Sequence, residues 1–519
     1  MDKHFLYLRE RLKKHRYEAK RIHKEWVGFG TGLKAVLSDL FIVFQLSVLG
    51  VIYSILAHEF PIFFYISVGL TALTMLAVLL FEPDVQSKIS WTLLFLISFG
   101  SGFYIYILSR QWVCFFWHKV CFHNVKKRVG PIENDFTISA ERCNDTEKYL
   151  QSFGFNTFAG TEVQYYSNAR KIMDNLIARI DAAKKYVFLE FFIVADGVFL
   201  DRLISIFRRK CAEGVKIYML YDDVGSAGVL SDFVKKQIRS AGVKLKSFHK
   251  LFFPFYFGLN YRDHRKIVVV DGQTGYLGGF NLIDDCANQR KMEGVWKDAG
   301  LRLDGAAVDE LAVEFIRQWQ FATHEKLDKK LFTGNFVPAV NSSRVTVYAG
   351  GPEINGYVCR GAYSSIINSA REKLYIMTPY LVPDSRLFKS LIKKAREGVD
   401  VRLVLPGVPD YRYIYRVTLS NARRLMKKGV KVWFASGVFV HSKVMLTESE
   451  AAVGSVNLDM RAFYQEFDNG AVITDGAALA DIEKDFESTF SRNAQAEIKK
   501  INPASALINA ILRLFSPLM

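Results

Sequence analysis

Hydrophobic positions divide the chain into two regimes. Near the start lie three charge-free runs, LFIVFQLSVLGVIYSILA at 40–57, PIFFYISVGLTALTMLAVLLF at 61–81 and WTLLFLISFGSGFYIYIL at 91–108. Each approaches the roughly 20 apolar residues that cross a bilayer, so N-terminal transmembrane helices and an integral membrane protein are expected. A cleaved signal peptide is not, because the first run begins late and two more follow it. Beyond about residue 160 the pattern changes to short β-rich runs alternating with amphipathic helical stretches.

That second pattern occurs twice, in the same order. One copy reads AAKKYVFLEFFIVAD, EGVKIYMLYDD, AGVKLKSF and HRKIVVVDGQTGYLGGFNL; the other reads SAREKLYIMTPYLVPD, EGVDVRLVLPG, KGVKVWFA and HSKVMLTESEAAVGSVNL. Equivalent glycines lie 184 (Gly214, Gly398) and 187 (Gly242, Gly429) residues apart, and the histidines that open the last blocks lie 177 apart. Each copy predicts a layered α/β domain with a histidine-bearing hairpin, and basic residues such as Lys210 and Lys394 precede a glycine able to end a helix. Two copies of one fold are expected to pack about a pseudo-twofold axis, which brings matching residues face to face. The predicted organisation is a basic segment at 1–35, a membrane region at 36–110, a linker at 111–158, α/β domains at 159–335 and 336–500, and a C-terminal amphipathic helix at 501–519.

The 519 residues carry 69 Lys or Arg against 52 Asp or Glu, a formal charge of +17. Charge is mixed over most of the length and half the residues are apolar, which excludes a disordered or collagenous chain. Six cysteines with no C-x-x-C pair indicate neither a disulfide scaffold nor a zinc ribbon. Ten basic residues lie in 1–35 against four acids, placing that end in the cytoplasm, either as a topogenic helix or as a cluster that holds anionic headgroups. Three full spans would put everything after residue 110 outside, yet Arg110, Lys119, Lys126, Lys127 and Arg128 ask for the cytoplasm as well. The conflict resolves if the run 40–57, separated from the next by only His58, Glu59 and Phe60, is re-entrant or interfacial.

The chemistry sits in the repeat. The first copy holds His264, Lys266 and Asp271, then Gly278, Gly279 and Asn281; the second holds His441, Lys443 and Glu448, then Gly454, Ser455 and Asn457. A lone H-x-K is weak evidence, but two at equivalent places, each followed by G-[GS]-x-N, are strong. Alternation along a strand puts His and Lys on one face, so a shared cleft receives two imidazoles and two ammoniums. Ammoniums and carboxamides suit a phosphodiester whose charge grows in the transition state. One neutral His can attack phosphorus while the other, protonated, serves the departing alkoxide.

These paired H-x-K-x4-D motifs, HRKIVVVD and, with Glu for Asp, HSKVMLTE, resemble those of the phospholipase D superfamily. More narrowly, from about residue 40 onward the chain is similar to the bacterial cardiolipin synthases. The resemblance rests on the apolar segments, EFF (190–192), LYDDVGS (220–226), LNYRDHRK (259–266), GGFN with VWKD (295–298), TPYLVPD (378–384), GSVNLDMR (454–461) and the closing LFSPL. It implies duplicated phospholipase D-like domains in which His264 is the nucleophile, His441 the general acid and then base, and Lys266, Lys443, Asn281 and Asn457 the phosphate cradle. It implies that Asp271 and Glu448 are structural, and that Asp298 and Glu466 each hydrogen-bond the histidine of the opposite half, as a triad's carboxylate does. Glu448 stands where the family has Asp, and His441 to Asn457 spans 16 positions against 17 for His264 to Asn281; the longer side chain is expected to be tolerated.

Nucleases share this superfamily, and a basic chain can bind nucleic acid. The membrane segments and the aromatic run LFFPFYFGLN (251–260) point instead to lipid, with Phe252, Phe253, Phe255, Tyr256 and Phe257 either in the core or forming a lip for acyl chains. The tail NPASALINAILRLFSPLM predicts a short amphipathic helix with Leu507, Ile508, Ile511, Leu512 and Phe515, packed on the body or anchored in the interface. The resulting expectation is a multi-pass protein of the bacterial plasma membrane. As the resemblance implies, it would condense two phosphatidylglycerols into cardiolipin and glycerol through a phosphatidyl-histidine. Its partners would be phosphatidylglycerol and other anionic phospholipids, with no nucleic acid, cofactor or metal; the sequence contains no G-x4-G-K-[ST] nucleotide loop. A hydrolase or headgroup exchanger of the same chemistry and a catalytically impaired membrane scaffold are the alternatives.

Overall fold

The two copies build one sheet. The computed structural model describes residues 50–516 apart from 52, 83, 99, 111, 251–259, 289–293, 341, 353–356 and 499–501. In the first copy the strands are β1 (Thr157–Tyr166), β2 (Tyr186–Phe191), β3 (Lys216–Asp222), β4 (Lys244–Phe248), β5 (Lys266–Val270), β6 (Thr274–Gly278), β7 (Val295–Lys297) and β8 (Gly300–Gly305). In the second they are β9 (Ser343–Gly350), β10 (Lys373–Met377), β11 (Leu381–Val382), β12 (Asp400–Pro406), β13 (Lys431–Ala435), β14 (Val438–Val440), β15 (Val444–Thr447), β16 (Ala451–Gly454), β17 (Leu458–Asp459) and β18 (Asp468–Ile473). Fourteen of them form a continuous sheet in the order β13-β12-β10-β15-β16-β18-β9-β1-β8-β6-β5-β2-β3-β4. Read outward from the antiparallel β9–β1 pair, each strand meets its counterpart at the same distance, which is the expected pseudo-twofold arrangement of duplicated α/β domains.

Local sequence accounts for each half. The parallel trio β2, β3, β4 is linked by helices Val198–Ala212 and Asp232–Ser240; the trio β10, β12, β13 is linked by Ser385–Arg396 and Arg412–Met426. Gly214 and Gly398 follow the first of the two linking helices in each half with φ of +90° and +89°, a conformation that costs glycine little. The sheet is covered on both faces, so β2 is buried at every position. Helix Val308–Thr323 fills the centre with Leu311, Phe315, Ile316 and Trp319, each such side chain contributing about 1.5–3 kcal/mol by burial. Its buried Glu314 and Gln318 receive Arg265 at 3.5 and 3.3 Å. Arg265 therefore points to the core side, and strand alternation sends its neighbours His264 and Lys266 the other way.

The N-terminal region departs from expectation. Helix α1 (Pro61–Phe81) is, among the described residues, the one helix long and apolar enough to cross a membrane. Residues 40–49 of the first apolar run lie outside the described residues. The third run, 91–108, is not a single helix: α2 (Val85–Ile97) ends within it and α3 (Gly102–Arg110) begins after a turn. Gly100 takes φ +98° there, a conformation that a continuous helix does not contain. The stretch expected as a linker holds α4 (Trp112–Val129), whose Phe122, Val125 and Val129 join the core, and α5 (Asp145–Gln151), capped reciprocally by Asn144 and Glu147. Both are parts of the body. The C-terminal helix Pro503–Phe515 packs on it, with Arg513 Nη1 donating to Ser420 Oγ at 3.0 Å. Leu507, Ile508 and Ile511 remain exposed. Of the aromatic run, residues 251–259 lie outside the described residues.

Candidate active site

Each motif histidine is carried to the pseudo-twofold axis by backbone bonds to the other half. His264 N donates to Phe467 O at 2.8 Å and Phe467 N to Arg262 O at 2.9 Å, while His441 N donates to Lys297 O at 2.7 Å where β14 pairs with β7. The side chains repeat the exchange. His441 Nδ1 lies 2.7 Å from Asp298 Oδ2, and His264 Nδ1 lies 2.9 Å from Asp468 Oδ1. A carboxylate only accepts, so each Nδ1 carries the proton and each ring presents Nε2 as its basic nitrogen. Lys443 Nζ donates to the His441 carbonyl at 2.6 Å, and Lys266 Nζ to that of His264. Asn281 Oδ1 accepts from Ile193 N at 3.3 Å, and Asn457 lies buried. Phe192 and Trp296 pack on the two imidazoles, with ring centroids 5.1 Å from His264 and 4.9 Å from His441.

One expected partner is different. Glu466 is 4.0 Å from His264 Nδ1 and bonds Arg461 Nε at 3.0 Å; the acid that orients His264 is Asp468. The reason is strand register. Gly300 pairs with Gly278 in the first half and Gly470 with Gly454 in the second, so Asp298 and Asp468, each two residues ahead of its glycine, are equivalent positions. The signal is D-x-G, present as Asp298-Ala299-Gly300 and Asp468-Asn469-Gly470, and it aligns the two acids once Gly300 is matched with Gly470. The G-[GS] pair has its own explanation. Ser455 Oγ donates to Asp468 Oδ1 at 2.6 Å, whereas at Gly279 a Cβ would overlap the Asp298 carboxylate.

The motif acids face away from the histidines. Asp271, at φ +55°, accepts from the backbone N–H groups of Lys184, Lys185 and Tyr186 at 2.7, 2.7 and 2.9 Å, fixing the start of β2. Glu448 accepts from Arg371, Glu372 and Lys373 at 2.8, 3.3 and 3.3 Å, at the start of β10. Because Glu448 performs the same anchoring with one more methylene, Glu448→Asp is expected to change turnover no more than a few-fold, within the ordinary cost of about 0.5–3 kcal/mol for a single substitution. Steady-state kinetics checks this; a hundredfold gain would mark Glu448 as impairing.

Burial and charge set the protonation of the cleft. Burial and the neighbouring Lys266 hold His264 well below the ordinary imidazole range. Burial and Lys443 bring His441 down to about 4, against the opposing pull of Asp298. Burial and the facing Lys443 lower Lys266 to about 7, and burial lowers Lys443 to about 8. Burial opposes the charge of Asp298, yet His441 and Lys443 carry it below its usual value. Asp468 is raised, because burial outweighs Lys266. A cleft holding two crowded ammoniums favours an entering anion. His264, Glu466 and Asp468 also offer ligand atoms within 4.8 Å of one another, but a cation there would compete with the His264–Asp468 and Arg461–Glu466 bonds and be repelled by Lys266.

The family described as "Cardiolipin synthase, PLD-like domain" matches residues 176–319 and 363–490, one region in each half. A cardiolipin synthase of Oceanobacillus iheyensis is 27% identical over 86% of this chain and 97% of its own length; one of Listeria innocua is 31% identical over 69% of this chain and 75% of its own. In fold, the chain is similar to the crystal structure of a phosphatidylserine synthase of Haemophilus influenzae, with a TM-score of 0.57, 15% identity, and coverage of 72% of this chain and all of that one.

Proposed function

The chain belongs to the cardiolipin synthase family of phospholipase D-like enzymes, and from that premise we propose that it joins two phosphatidylglycerols into cardiolipin with release of glycerol. The observation that carries the reading is the crossed pairing: each half supplies a His-Lys pair and the acid that orients the other half's histidine. The phosphodiester anion lies between the Lys266 and Lys443 ammoniums, with the Asn281 and Asn457 amides on its remaining oxygens. The His264 Nε2 lone pair bonds to phosphorus as the bond to the glycerol oxygen breaks, and His441, protonated at Nε2, gives that proton to the departing alkoxide. Neutral His441 then takes the proton from a hydroxyl of the second phosphatidylglycerol, whose oxygen displaces His264. Bound phosphodiester offsets the depression of His441 by Lys443, and Asp298 steadies the imidazolium.

The protein works bound to the bacterial plasma membrane, with α1 crossing it, residues 36–110 forming a multi-pass region, and 159–335 and 336–500 forming the two catalytic halves. Anionic phospholipid, not nucleic acid, is its substrate. Mass spectrometry of products from the purified chain with phosphatidylglycerol decides the matter: cardiolipin and glycerol are expected, phosphatidic acid alone would mean a hydrolase, and no turnover would leave the scaffold reading. Lysines supply the cations, so activity in mixed micelles is expected to survive EDTA. Loss restored by one specific transition metal would contradict the histidine mechanism.

A further inference from the structure

The third apolar run folds as a hairpin. From its start beside the end of α1, α2 runs back along that helix, the chain reverses at Gly100, and α3 returns beside α2 with Tyr106 against Trp91 at 4.7 Å and Phe95 at 5.8 Å. The turn is satisfied from α1: Thr71 Oγ1 donates to Gly100 O at 2.7 Å and accepts from Phe103 N at 3.1 Å, and Ser101 N donates to Ser98 O at 3.0 Å. Gly100 and Gly102 let the segments close, since a Cβ on either would press on Val68 or Thr71 of α1. Non-helical backbone is tolerated at bilayer depth only when protein satisfies it in this way.

The dimensions and surface fit lipid. The 13 residues of α2 extend about 20 Å, short of the roughly 30 Å hydrocarbon layer that the 21 residues of α1 cover. Near the tip Leu96 and Ile97 are 59% and 66% exposed, and Val85, Ile89, Leu73 and Leu80 continue the apolar surface. No charged residue lies between Lys88 and Arg110. At the base, Asp84 Oδ2 accepts from Ser87 N at 2.9 Å while Oδ1 accepts from Ser385 N at 3.0 Å, clipping the hairpin to the second catalytic half. Gln86 Nε2 donates to Ser516 Oγ at 3.1 Å, so the C-terminal helix with exposed Leu507, Ile508 and Ile511 lies beside the same base. The other end of the hairpin leads through α4 into the core.

We propose that residues 85–110 form a re-entrant hairpin that dips into the acyl chains of the leaflet facing the catalytic body and returns to that body without crossing. This rests on the membrane-bound reading above. It moves the re-entrant segment from the first apolar run to the third: Lys126, Lys127 and Arg128 then lie on the same side as the end of α1, as the positive-inside rule asks. The clip also reaches the cleft. Asp384, next to Ser385, accepts from Tyr464 Oη at 2.8 Å, and Tyr464 stands two residues before Glu466, which accepts from Arg461 and lies 4.0 Å from His264 Nδ1. The cleft is thereby tied to the leaflet that supplies its substrate.

The test places single cysteines, Glu82→Cys, Ser98→Cys and Lys127→Cys, in a full-length chain whose native cysteines are replaced, with Lys330→Cys as marker of the body. Intact cells and inverted membrane vesicles are treated with an impermeant maleimide. Positions 82, 127 and 330 are expected to label from one side, and 98 only after the bilayer is dissolved. Labelling of 82 and 127 from opposite sides would overturn the proposal in favour of a span. Labelling of 98 in intact vesicles, or an intermolecular disulfide through 98, would overturn it in favour of a water-exposed or self-associating surface. The readout is location, so its failure leaves phosphatidyl transfer to be judged by product analysis alone.

Discussion

His441→Asn is expected to slow cardiolipin formation by about 10²- to 10⁴-fold, the usual contribution of a positioned acid and base. The loss falls on both half-reactions, because His441 protonates the first leaving group and deprotonates the second alcohol. A substrate with a leaving group that needs no proton separates the two. With phosphatidyl-p-nitrophenol, His441→Asn is expected to release about one nitrophenol per site in a burst and then stall, since His264 still attacks but nothing activates the second alcohol. The burst also reports a folded site. A burst in His264→Asn, with none in His441→Asn, would exchange the two roles.

Asp468→Asn is expected to lower turnover by about 10²- to 10⁴-fold, because an amide in place of the carboxylate favours the wrong tautomer of His264. Glu466→Gln, which keeps the size of a group 4.0 Å from the ring, is expected to stay within about tenfold. Asp298→Asn should resemble Asp468→Asn, since the two acids occupy equivalent registers. Parallel kinetics of the three variants checks this ordering. A larger loss from Glu466→Gln than from Asp468→Asn would return the orienting role to Glu466.

What the chain disclosed in advance, and what it did not, follows from the range of the interactions involved. The repeat was legible because strands, helix-ending glycines and H-x-K pairs are local patterns, and the doubled His264 and His441 announced a symmetric cleft. The partner of His264 was harder to read, because Glu466 and Asp468 are two residues apart and the D-x-G that Asp468 shares with Asp298 gains its meaning only from the pairing of Gly300 with Gly278 and Gly470 with Gly454. The run 91–108 reads as one span because hydropathy averages over Gly100 and its serines, whose turn depends on Thr71 from another helix. Residues 112–129 read as a linker because their aromatic residues show no clear period; their burial is set by helix Val308–Thr323, through contacts such as Phe122 on Phe321 at 5.3 Å.

The central claim is that His264 becomes covalently bonded to the phosphatidyl group. Enzyme mixed with radiolabelled phosphatidylglycerol and quenched in alkaline detergent should carry an acid-labile, alkali-stable phosphoramidate on the peptide containing His264. Label on the His441 peptide, or none in an enzyme that still makes cardiolipin, would contradict the account.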